Sequence, residues 1–136
     1  MIPRIEALYR QIAESMQAAI PEEWATAKFE AIFYLDCSTY EAEYTRKADG
    51  VSRSFQPADE GDRAFRQLRE QFEQAGKRLW GRACFELRSD GTFNMQWSYD
   101  DCDENGDARF DEEEEIRRHE ARHRRLTAIP NRNHRP

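Results

Sequence analysis

No stretch of this sequence approaches the ~20 consecutive apolar residues that a membrane-spanning helix needs, and the opening MIPRIEALYR carries charges where a secretory signal would be apolar. A cytoplasmic protein is expected, with no membrane partner. Cysteine is scarce. Cys37, Cys84 and Cys102 are odd in number, widely spaced and free of any C-x-x-C pair, which points to reduced thiols rather than a disulfide framework or a zinc knuckle. There is no G-x-S-x-G elbow, no phosphate-cradling glycine loop and no cysteine with a recognisable local partner, so no enzyme class is suggested and no cofactor is expected. A Pro/Gly/Ser-rich linker is missing too. The 136 residues are therefore read as one domain over 1–129, and residues 130–136, which lack periodicity, as a disordered tail.

Apolar residues are also few, at 38% with a mean hydropathy of -1.03, but aromatic rings make up 12% of the chain and can supply much of a thin core. Charge is present in excess and unevenly placed. Asp100 to Glu115 holds ten acids (Asp100, Asp101, Asp103, Glu104, Asp107, Asp111, Glu112, Glu113, Glu114 and Glu115) against Arg109 alone. That segment carries -9 of an overall -6, which leaves +3 for the rest. Such a run is either a solvated face or an attractor for a basic partner. The arginines near the carboxyl end lack interleaved aromatics and adjoin the acids, so nucleic-acid binding is disfavoured.

Hydrophobic periodicity orders the elements. Ile5, Leu8, Tyr9, Ile12, Met16 and Ile20 recur at helical spacing up to Pro21. From Ala25 to Leu35 the period becomes two, with Phe29, Ala31, Phe33 and Leu35 on one face and Lys28, Glu30, Ile32 and Tyr34 on the other. Tyr40, Ala42 and Tyr44 mark a second strand, and the Asp49-Gly50 turn leads into a third over Val51 to Phe55. Phe65, Leu68, Phe72 and Ala75 define a second helix, with Asp59 or Asp62 near its cap and Gly76 as its stop. A hairpin over Leu79–Arg88 and Thr92–Tyr99 turns at Asp90-Gly91, and its row of Phe93, Met95, Trp97 and Tyr99 is expected in the core.

A last helix runs from Asp111, which has capping-box spacing to Glu114, to about Leu126. Glu113/Arg117, Glu114/Arg118 and Glu120/Arg124 are spaced for ion pairs along it. The fold class is α+β, in the order α-β-β-β-α-β-β-α, with an antiparallel sheet of about five strands and helices packed on one face.

Two metal motifs are spelled out. DCDENGDARFDE, from Asp101 to Glu112, matches a calcium loop, with oxygen ligands from Asp101, Asp103, Asn105, Asp107 and Glu112 and a bend at Gly106. Against calcium stand an entering strand where a helix is usual, Ala108 at the hydrophobic anchor position, and the lack of a second loop. HEARH, His119 to His123, spells a zinc hydrolase pattern with Glu120 as base. Five arginines surround it, and the histidine that follows, His134, lies in the expected tail and makes a poor third ligand. The stripe Ile116, His119, His123 and Leu126 instead suggests histidines packed on the sheet.

The succession IEALYRQIAESM, IPEEW, a strand pair and FELRSDGTFNMQWSYDD resembles the YezG-like family of bacterial immunity proteins, the antitoxins of polymorphic toxin systems. The resemblance covers most of the chain up to about Asp101. It is most specific at Ile20-Pro21 with Trp24, and at the Asp90-Gly91 hairpin ending in Tyr99-Asp100-Asp101. It implies a non-enzymatic protein that binds and neutralises a cognate toxin, in this family often a nuclease, inside the producing cell. The extended acidic loop and the arginine-rich end depart from the expected family pattern. A basic toxin would complement the acidic segment, so Asp100, Asp101, Asp103, Glu104, Asp107 and Asp111 are assigned to the toxin-binding surface, with no metal. The alternative is a calcium-responsive interaction module using the Asp101–Glu112 loop.

Overall fold

A computed structural model describes residues 4–100 and 102–127; the expected tail at 130–136 lies outside them. The order is α1 (Ile5–Gln17), β1 (Trp24–Phe33), β2 (Ser38–Arg46), β3 (Ser52–Ser54), α2 (Asp59–Gln74), β4 (Arg82–Arg88), β5 (Phe93–Ser98) and α3 (Glu112–Leu126). The five strands form one antiparallel sheet in the order β3-β2-β1-β4-β5. This α+β architecture is the one expected from the sequence. No helix among the described residues is long and apolar enough to cross a membrane.

Strand alternation gives the sheet two unlike faces. On the first, Ala27, Phe29, Ala31 and Phe33 of β1 and Ala83, Phe85 and Leu87 of β4 are buried with Leu8, Ile12 and Met16 of α1 and Phe65, Leu68 and Phe72 of α2. Rings do most of the filling. Phe29 meets Phe65 edge to face at 5.0 Å, and Trp80, fully buried, lies 5.5 Å from Phe33 and 4.8 Å from Trp97. Such pairs add about 0.5–1.5 kcal/mol each beyond the area they bury, which is how a chain poor in aliphatic residues sustains a core.

The second face, carrying Lys28, Glu30, Glu41 and Glu43, is crossed by α3, so the expectation of helices on one face holds for α1 and α2 but is corrected for α3. Arg122 reaches Glu41 at 3.3 Å, Arg125 reaches Glu43 at 3.0 Å, and the Tyr34 hydroxyl donates to Glu115 at 2.7 Å. No residue of α3 is fully buried. The helix is docked by ion pairs rather than by an apolar stripe.

Several local expectations are corrected. Leu35 is not on the inner face of β1, because the strand ends at Phe33 and leaves Leu35 80% exposed. Ala75 is the exposed C-cap of α2, not a core residue. Asp59 and Asp62 occupy the first turn of α2 rather than its cap, Ala58, where their charge favours the helix dipole. Gly76 does stop that helix, at φ 69°, with Lys77 N–H donating back to the Phe72 carbonyl. The Phe93 row faces the core, but β5 is an edge strand, so Met95, Trp97 and Tyr99 are half-buried and Phe93 is exposed. The three spaced pairs along α3 do not form among the described residues. Arg117 meets Glu114 instead, at 3.5 Å, while Arg122 and Arg125 leave the helix for the less exposed carboxylates of β2.

Candidate functional site

The acidic segment begins where β5 ends and folds into a tight, internally bonded loop. Cys102 and Ala108 form an isolated antiparallel bridge. Within it, Asp103 N–H donates to the Asp107 carbonyl at 2.9 Å, and Asp103 Oδ1 accepts the backbone N–H groups of Asn105 and Asp107 at 2.9 and 3.0 Å. Gly106 takes φ 83° at the bend and lies against Leu79, so close that a Cβ would strike the Leu79 backbone. Only glycine satisfies both demands.

The loop is clasped from α2 by Arg69. Its Nε donates to the Trp80 carbonyl at 3.1 Å, and Nη2 donates to the Gly106 carbonyl at 2.5 Å and to Asp107 Oδ1 at 3.3 Å. The guanidinium also sits 4.9 Å over the Phe33 ring. Ala108 N–H donates to the Phe33 carbonyl at 2.7 Å, which fixes the loop to the end of β1. Asp111 then caps α3 by accepting from Glu113 and Glu114 N–H at 3.0 and 3.3 Å.

The six carboxylates assigned from the sequence thus divide. Asp103 braces the loop, Asp107 holds Arg69, and Asp111 caps a helix. Asp100 and Glu104 are exposed and have no ion-pair partner among the described residues. Asp101 lies outside the described residues. Glu112 and Glu113, in the first turn of α3, extend the exposed acidic surface.

The loop's bonding bears on the calcium spelling. The Asp107 carbonyl, one of the required ligands, already accepts from Asp103, and the positive Arg69 guanidinium occupies the Gly106–Asp107 side of the loop. Among the described residues no three acidic, histidine or cysteine side chains converge on a metal position. His119 and His123 are exposed, contrary to the expectation that they pack on the sheet. The inward stripe of α3 is Glu115, Arg118, Arg122 and Leu126, because the strand carboxylates and Tyr34 attract charged partners rather than imidazoles.

Sequence reasoning missed three features. Arg69 follows Phe65 by one helical turn, so a cation at the edge of an apolar stripe was the available signal. The carboxylates Glu30, Glu41 and Glu43 border a cleft of ≈ 520 Å³ with Lys28, Arg122 and Arg125. Burial pushes the Glu30 carboxyl above its ordinary range, partly opposed by Arg82, and it pushes the neighbouring Cys84 thiol up to about 12. The third is an apolar groove at the start of α3, whose only sequence signal was Phe110 standing just before the cap.

The fold and this surface define a small acidic α+β protein with a rigidly held, carboxylate-rich loop. A family model described as immunity protein YezG-like matches residues 36–135, nearly three quarters of the sequence, and the chain belongs to this family of immunity proteins. The matched range includes the Asp90-Gly91 hairpin and runs on beyond Asp101 over the acidic loop and the arginine-rich helix. Ile20-Pro21 and Trp24 lie before it. No curated protein matches the chain.

Proposed function

We propose that the chain protects its cell by binding a cognate toxin stoichiometrically, without catalysis of its own, and that the acidic segment meets a basic, nuclease-like toxin in the cytoplasm. The observation that carries this reading is the clasped loop. Asp100, Glu104, Glu112 and Glu113 are exposed on a backbone fixed by Arg69 and by the Asp111 cap. A pre-ordered array of carboxylates loses little side-chain and loop entropy when it meets a basic surface. Nucleases carry such surfaces because they must attract phosphates. In this reading Asp100 and Glu104 face the toxin directly, Asp103, Asp107 and Asp111 hold the display in shape, and Asp101 is assigned to the binding surface by its charge and position in the sequence alone.

The test is co-purification of the tagged protein from its native cells, with mass spectrometry of what remains bound, with and without chelator. The expected result is a basic toxin domain at one-to-one stoichiometry, insensitive to chelator. A partner retained only with calcium would replace this reading with the calcium-responsive module.

A further inference from the structure

Between the end of β1 and the start of α3 the surface becomes apolar. Leu35, Phe110 and Ile116 are exposed to 80%, 70% and 50%. Phe110 and Ile116, with Tyr34, Cys37 and Thr39, wall a groove of ≈ 420 Å³. Its walls are held in place. The Tyr34 and Phe110 rings meet edge to face at 5.9 Å, and the Tyr34 hydroxyl is bonded to Glu115. The carboxylates Asp36, Glu112 and Glu115 also line it with the single imidazole of His119, and neither lysine nor arginine does.

Isolated exposed apolar residues need no explanation, but a pre-formed apolar groove with a polar rim has the anatomy of an interface centre. We propose that this groove is the anchor point for the toxin, receiving an apolar side chain whose neighbouring lysine or arginine residues meet Asp36 and Glu112. This assignment rests on the immunity reading above. Charge selects the occupant: a second copy of this chain would bring like-charged rims together, whereas a basic surface is complementary. Because Glu112 belongs both to the rim and to the acidic segment, the groove continues the surface that attracts the toxin. Long-range attraction and close-range anchoring are thereby divided between adjacent patches.

Cys37 provides a reporter on the native protein. It is the exposed thiol and lines the groove, whereas Cys84 and Cys102 are half-buried. The probe is the toxin domain identified by the co-purification above, purified in inactivated form. Maleimide labelling of Cys37, read by mass spectrometry, should fall at least about tenfold in the complex. In parallel, Phe110→Ser and Ile116→Ser should each weaken binding by about 30-fold or more, mainly through faster dissociation, with unchanged circular dichroism.

If the wild-type protein binds this toxin while Cys37 labels at the free rate and both variants bind normally, the groove assignment falls and the immunity reading stands. If the wild-type protein does not bind it at all, both fall. Protection of Cys37 in the protein alone as its concentration rises would assign the groove to a second copy and overturn the proposal.

Discussion

Two single residues show how tightly the core and the charged face are set. Gly61 lies in the first turns of α2, where alanine would ordinarily be the better helix former. Yet a Cβ there would stand 2.7 Å from Phe29 Cε2 and strike the Ser15 hydroxyl, which is buried and bonded to the Ile12 carbonyl. Gly61→Ala should therefore destabilise the protein by about 1–3 kcal/mol in urea unfolding despite the gain in propensity. Glu30 presents the opposite case, a charge held where it is costly. It is paired in register with Glu41 on one side and Cys84 on the other, with Glu43 nearby, Lys28 two positions along its own strand, and Arg82, Arg122 and Arg125 as the opposing cations. Its carboxyl is raised above the unfolded value, chiefly by burial, so its contribution is most favourable below the unfolded pKa and is lost as pH rises through the folded one. Glu30→Gln should accordingly raise Tm at neutral pH, and the gain should shrink to nothing as acid protonates the wild-type side chain. A gain that instead grew on acidification would contradict this account.

At the level of elements, the strands, helices and turns were largely legible because period-2 and helical patterns are strong in β1, α1 and α2 and because Asp90-Gly91 and Gly76 punctuate them. What was not legible was which face each polar element would choose. Helix α3 has no apolar stripe to orient it. Its rotation is decided by Glu41, Glu43 and Tyr34, which are distant in sequence, and the stripe read through His119 and His123 was accordingly off by one position. The acidic loop was opaque for another reason: its spelling matches a calcium loop, a reading the sequence already disfavoured, while its conformation depends on Arg69, which lies 37 and 38 residues before Gly106 and Asp107. Arg69→Met keeps an unbranched apolar side chain but removes the guanidinium that lies over Phe33, and it strands the Trp80 and Gly106 carbonyls and the Asp107 carboxylate. The expected cost is about 2–3 kcal/mol. Amide exchange should accelerate from Asp103 to Ala108 well before it does in β1 or α2, since the loop loses its clasp while the core keeps its packing.

For the whole molecule the separation of charge is the governing feature, because the acidic segment carries -9 and the remainder +3. A molecule so polarised should pre-orient a basic partner as it approaches, and the effect belongs to the association rate rather than to the lifetime of the complex. Within the proposed function, the carboxylates to remove are those with no internal duty. Asp100→Asn with Glu104→Gln leaves the Asp103 brace, the Arg69–Asp107 pair and the Asp111 cap intact, so lost binding cannot be ascribed to lost structure. Association with the toxin should slow by about tenfold at low salt, with dissociation nearly unchanged. At 1 M salt, where the screening length contracts to about 3 Å, wild-type and variant rates should converge. Stopped-flow association across a salt series would measure this directly. A variant that associates at the wild-type rate at low salt would show that the acidic segment is a solvated face, and would leave recognition to the apolar groove beside it.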